Sequence, residues 1–229
     1  WGRATVLSNF LNSKDLKPVP GTRTYVRWLW DEDYLYVAYE NFDEGIQDLK
    51  MAPAAGSWWQ GESDDVETYL AATHPLGDPA ATFRVYFSNP LGEQLVYREG
   101  VNFVPDPGTW YTSALIKDED GTENDRWIVI KGIPFEQLGI TGPVTEDTQL
   151  YGYFYRGYYG DEGFVNIGWE GASVWQPLFF KTITLVDDED DGDGGDGGSG
   201  DGDGGDGDSG DGDGGDGDSG DGDGGDGDG

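Results

Sequence analysis

The stretch Thr24-Tyr25-Val26-Arg27-Trp28-Leu29-Trp30-Asp31-Glu32-Asp33-Tyr34-Leu35-Tyr36-Val37-Ala38 decides the fold class. In an extended chain Val26, Trp28 and Trp30 fall on one side and Tyr25, Arg27 and Leu29 on the other, which is the period of a strand. Asp31-Glu32-Asp33 interrupts the pattern and residues 34–40 resume it, so a hairpin with β-branched and aromatic residues on both arms is predicted. The same alternation marks 65–71, 82–88, 94–99, 110–117, 126–132, 150–156, 164–169 and 178–186. Breakers such as Asn89-Pro90-Leu91-Gly92 and Asp118-Glu119-Asp120-Gly121 separate them. Only 134–139, with Pro134 at its start and Gly139 at its end, reads as a helical turn. About ten short strands predict an all-β chain, an antiparallel β-sandwich or jelly roll.

Composition divides the chain near residue 186. All nine Trp, 13 Tyr and ten Phe, and all 13 Lys and Arg, lie in 1–186, while 187–229 contains only Asp, Glu, Gly and Ser. The expected organisation is one sandwich domain over 1–186 followed by an acidic tail over 187–229. From Asp201 the tail repeats Asp-Gly-Asp-Gly-Gly-Asp-Gly-Asp-Ser-Gly. It has no apolar side chain to bury and is therefore expected to be disordered, a flexible spacer with loose affinity for divalent cations. It lacks the closing Glu of an EF-hand loop and the large aliphatic residues of a calcium β-roll, so a defined metal cage is not expected there.

The formal charge is −33, with a negative balance in both parts. Binding nucleic acid requires Lys and Arg to displace counterions from phosphate, so a nucleic-acid role is excluded, and so is docking on an anionic membrane. No apolar run approaches the length of a membrane span, the longest being broken by Lys181. The absence of Cys rules out a disulfide framework and thiolate chemistry. The abrupt opening at Trp1 reads as a processed or excised piece.

Two strands carry polar positions of interest. Glu67 and Tyr69 oppose Val66, Thr68 and Leu70 in 65–71, and Arg84 and Tyr86 oppose Phe83, Val85 and Phe87 in 82–88. If the strands pair, Glu67 and Arg84 are expected to share a face, either as a cross-strand ion pair or as the floor of a sugar site. A pyranose offers C–H bonds to an indole face and hydroxyls to planar polar groups. Trp58-Trp59 and Trp175 lie in loops, where burial in a core explains them less readily than it explains Trp28 or Trp127.

Taken in order, the 24–38 hairpin, Trp59 ahead of Asp64-Asp65-Val66-Glu67, Phe83-Arg84-Val85, Trp127 through Ile133-Pro134-Phe135-Glu136-Gln137-Leu138-Gly139, Tyr151 to Arg156, and Trp169 with Trp175 resemble family 9 carbohydrate-binding modules. These modules belong to a wider group of sandwich domains related to DOMON domains. Trp1-Gly2-Arg3-Ala4 resembles the family's opening. The resemblance implies a sandwich fold, a structural Ca2+ ion, and a slot in which Trp59 and Trp175 clamp a sugar while Glu67 and Arg84 bond its hydroxyls. Tyr86, where an amide is usual, and Arg156, where Gln is usual, would stand at the same slot with altered hydrogen-bonding capacity. The acidic clusters give Asp31, Asp33, Asp43, Asp64 and Asp65 as candidate calcium ligands.

The reading of function is therefore a non-catalytic, extracellular or cell-surface carbohydrate-binding module, whose partner is a glycan or polysaccharide and which is linked to further domains. The alternative is a structural or adhesive surface domain with a calcium-responsive tail. A glycosidase would need paired carboxylates at a cleft, and haem would have to be held by the single Met51 and single His74; no pattern in the chain points to either.

Overall fold

A computed structural model describes residues 1–2, 4–46, 49–50, 63–76, 83–90, 94–98, 101–104, 108–117, 124–160, 163–173 and 176–185, with 94–98, 101–104 and 177 described by their backbone alone. A folded unit spans Trp1–Asp190. The acidic tail, and with it the expectation of disorder there, lies outside the described residues.

The strands in chain order are β1 (Thr5–Leu7), β2 (Phe10–Asn12), β3 (Thr22–Trp30), β4 (Tyr34–Asp43), β5 (Asp65–Ala71), β6 (Arg84–Ser88), β7 (Gln94–Arg98), β8 (Val101–Val104), β9 (Trp110–Ile116), β10 (Arg126–Pro134), β11 (Leu150–Gly160), β12 (Gly163–Trp169) and β13 (Lys181–Ile183). They form two antiparallel sheets. The first runs β1-β3-β4-β10-β9, and the second runs β2-β12-β11-β5-β6-β7-β8, with β13 added on β11. The chain is all-β, as the period-two segments predict, and 134–139 is a 3-10 turn over Phe135–Leu138 closed by Gly139 at φ 81.

The hairpin that set the expectation is β3 and β4, paired from Thr22↔Asp43 to Trp30↔Leu35. Its turn is fixed by Asp31, whose Oδ1 accepts the backbone N–H of Asp33 and of Tyr34, both at 2.8 Å. The inward residues Val26, Trp28, Leu35, Val37 and Tyr39 are buried between the sheets with Val66, Leu70, Trp127, Val129 and Phe154. Trp28 stacks on Phe154 at 5.7 Å, so the strand tryptophan serves as core.

A second apolar cluster lies on the opposite, outer face of the second sheet. Tyr69, Ala71, Val85, Phe87, Tyr153, Tyr155, Ala172 and Phe180 are all buried there. The central strands β5 and β11 are therefore covered on both faces. This explains why every residue of Asp65–Ala71 is buried although half of them point away from the main core.

Candidate functional site

Register settles which polar residues share a face. In the β5–β6 pair Glu67 stands opposite Phe87, Thr68 opposite Tyr86 and Leu70 opposite Arg84. Directly opposed residues project to the same side of a sheet, so Glu67 lies on the outer face while Arg84 and Tyr86 lie on the inner one. This corrects the expectation that Glu67 and Arg84 share a face: Arg84 is an odd number of positions from Phe87, and a strand reverses its side at every residue.

Glu67 is buried among tyrosines. Its carboxylate accepts the Tyr69 hydroxyl, Tyr69 stacks on Tyr153 at 4.0 Å and 12°, and Tyr155 is its direct neighbour across β11. Asp65, two positions back on the same face, accepts the Gly157 N–H through Oδ1 at 3.1 Å. Its Oδ2 and the Tyr155 hydroxyl are buried without a hydrogen-bond partner among the described residues. Burial, with Glu67 close by, holds the Asp65 carboxyl well above the usual carboxylate range. Burial also raises the Tyr155 phenol.

Two further segments are bounded by described contacts, the first at Asp64, which feels the charges of Arg156 and Asp43 between the sheets, and the second at members of the outer-face cluster. The base of the first is fixed where Lys50 N–H donates to Asp64 Oδ2 at 2.7 Å and Tyr159 N–H to Asp64 Oδ1 at 3.0 Å. The second is anchored on one side by Ala172 and on the other by Phe180, which meets Tyr153 edge-on at 5.1 Å. Trp59 falls between Lys50 and Ser63 in sequence and Trp175 between Ser173 and Gln176, and both lie outside the described residues.

The other residues singled out from the sequence have structural partners. Arg84 Nη1, the Tyr86 hydroxyl and the Thr109 hydroxyl all donate to Gln137 Oε1, at 3.4, 3.1 and 3.3 Å. Gln137 thus ties β6 to the 3-10 turn. Arg156 is buried between the sheets, where its Nη2 donates to Asp43 Oδ2 at 2.8 Å and its Nη1 to the Phe42 carbonyl at 3.0 Å. In these positions neither Arg84, Tyr86 nor Arg156 faces Glu67.

Four of the five candidate calcium ligands are also engaged, Asp65 by the Gly157 N–H. Asp31 holds its turn and accepts the Tyr36 hydroxyl at 2.5 Å. Asp43 holds Arg156 and the Gly45 N–H. Asp64 holds two backbone N–H groups, and its carboxyl is pushed up to about 6 by burial. Asp33 lies exposed in the hairpin turn. Among the described residues no three metal-ligating side chains converge.

Residues that pattern reading passed over prove central. Tyr153 and Tyr155 complete the floor beside Glu67, and their period-two spacing within Leu150–Gly160 was the available signal. Lys131 is buried between the sheets, its Nζ donating to the Tyr86 carbonyl at 2.7 Å and to Thr68 Oγ1 at 3.3 Å. Burial brings this amine down to about 7.

No protein-family profile matches the chain, and no curated protein matches it in sequence. Solved structures do match in fold. A candidate carbohydrate-binding protein from Bacteroides uniformis superposes with a TM-score of 0.61 at 13% identity, over 81% of this chain and 88% of its own. A family 9 carbohydrate-binding module from Caldicellulosiruptor kristjanssonii in complex with cellotriose gives 0.55 at 16% identity, over 83% of this chain and 85% of its own. The module from the same organism in complex with glucose gives 0.57 at 15% identity, over 83% and 88%. The chain therefore has the fold of these carbohydrate-binding proteins.

Proposed function

We propose that the sandwich is a non-catalytic glycan-binding module of a secreted or surface protein, and that it takes a sugar on the outer face of the second sheet. The observation that carries this reading is the floor around Glu67. A buried carboxylate and stacked tyrosines share one face with two polar atoms that have no hydrogen-bond partner among the described residues, Asp65 Oδ2 and the Tyr155 hydroxyl. Such atoms are costly to bury alone, and a ligand hydroxyl can satisfy them.

Trp59 and Trp175 are the stacking residues of this reading: the flanks of Trp175, Ala172 and Phe180, belong to the outer-face cluster, and Trp59 is taken from the family resemblance. Glu67 is the hydroxyl partner. The carboxylate is covered, so binding requires the side chains above it to part. The named ligands of the fold neighbours, cellotriose and glucose, support a neutral pyranose as the first to test.

The test is a titration of the full chain with glucose and cello-oligosaccharides, followed by tryptophan fluorescence. A saturable change is expected that is lost in both Trp59→Ala and Trp175→Ala. No response to any sugar of a broad panel, with or without calcium, would leave the fold without this function.

A further inference from the structure

The outer face of the first sheet carries a row of rings that the site above does not use. Trp110 on β9 and Tyr36 on β4 both stand opposite Gly132 on β10, so the three share that face. A Cβ at Gly132 would collide with the Trp110 indole. The indole therefore occupies the space the glycine leaves, and Trp110 is still 44% exposed.

The row continues from there. Tyr36 follows Trp110 at 5.8 Å between ring centroids, tilted by 48°, and Tyr34 follows Tyr36 at 6.0 Å, inclined by 29°. The Tyr36 ring is held in place because its hydroxyl donates to Asp31 Oδ2. Tyr34 stands opposite Pro134, and both residues line a cleft of about 550 Å³.

That cleft is acidic. Glu32, Asp33 and Glu136 line it, and no Lys or Arg among the described residues does. These three carboxylates enter no ion pair among the described residues. Rings that step toward unpaired carboxylates fit an occupant with stackable C–H faces and protonated amines. An anionic polymer is repelled by the chain's charge of −33. A plain polycation can meet the rings by cation–π contact alone and has no pyranose face to stack on them.

We infer that Trp110, Tyr36 and Tyr34 with the Glu32–Asp33–Glu136 cleft form a second glycan-binding surface, selective for a cationic oligosaccharide of amino sugars with free amines. The pyranose faces stack on the rings and the ammonium groups enter the cleft. The site is on a different sheet from Glu67 and stands whether or not the Glu67 face binds sugar.

The experiment is an NMR titration of the full 229-residue chain, isotope-labelled, with a glucosamine tetrasaccharide at a pH of about 6, where amines remain protonated and carboxylates ionised. The Trp110 indole N–H signal, assigned by its loss in Trp110→Phe, is expected to shift saturably. Affinity should fall about tenfold or more in the exposed-charge double variant Glu32→Gln/Glu136→Gln, and also for the N-acetylated tetrasaccharide. Oligolysine, limited to cation–π contact, should shift the Trp110 signal less than the tetrasaccharide at the same concentrations. A still Trp110 signal, equal affinity for the acetylated sugar, undiminished binding by the double variant, or an equal shift with oligolysine would each overturn the proposal. The Glu67 face is read by separate signals, so failure at one surface does not count against the other.

Discussion

Arg156 on β11 and Asp43 at the end of β4 form an ion pair between the two sheets at 2.8 Å, with side-chain exposures of 0% and 2%. The pair places a cation and an anion in the sandwich interior, with the Phe42 carbonyl taking another of the guanidinium hydrogens. Removing one partner strands a buried charge. Arg156→Met is therefore expected to cost about 3–5 kcal/mol of stability by urea denaturation, and Arg156→Met/Asp43→Leu markedly less than the sum of the two single changes. If Arg156 instead served the sugar, Arg156→Met would abolish glycan binding while leaving the urea midpoint nearly unchanged.

Lys131 gives a pH dependence with a definite sign. Below about pH 7 the amine is protonated in both the folded and the unfolded chain and contributes no slope. Between about 7 and the ordinary lysine value of 10.5 only the unfolded chain holds the proton, so stability from this group rises with pH. The slope approaches at most about 1.4 kcal/mol per pH unit. Urea midpoints measured from pH 6 to 10 should show this rise in the native chain and lose it in Lys131→Met.

Glycines 132 and 168 should answer differently to the same substitution. An added Cβ at Gly168 meets the backbone of Ala172, which cannot yield without moving the turn, and Gly168→Ala is expected to cost about 3 kcal/mol. At Gly132 the obstacle is the half-exposed Trp110 side chain, which can swing away. Gly132→Ala should thus alter stability by under about 1 kcal/mol while displacing the indole. Thermal melts would rank the two, and the Trp110 indole signal would report the displacement.

Glu67→Gln tests the floor directly. The glutamine retains an acceptor for the Tyr69 hydroxyl but loses the charge, so a chain that folds normally and binds sugar about tenfold or more weakly is expected. Unchanged affinity measured by calorimetry would remove Glu67 from the site.

The sheets were legible wherever period two ran over five or more residues. The β3–β4 hairpin declared itself through Val26, Trp28, Leu35 and Val37, all inward-facing as their spacing required. The three-residue strands β1 and β2 are too short to show alternation and exist because partners in β3 and β12 align them. Face sharing between strands was not legible, since it depends on register: one position of offset separates Glu67 from Arg84. Nor could the sequence show that Arg156 belongs to Asp43, 113 positions away, or that Gln137 gathers Arg84 and Tyr86. Long polar side chains find such partners only once the sheets face one another.

β1 and β13 are three-residue strands at opposite ends of the folded unit, and they hang on different sheets, β1 on β3 and β13 on β11. Tension applied through both ends of the sandwich would thus enter the two layers separately. The short ladders Thr5↔Trp28 to Leu7↔Val26 and Leu150↔Ile183 to Gly152↔Lys181 would be strained first. They would act as sacrificial fastenings, yielding before the long central ladders that carry Glu67 and Trp110 bear load.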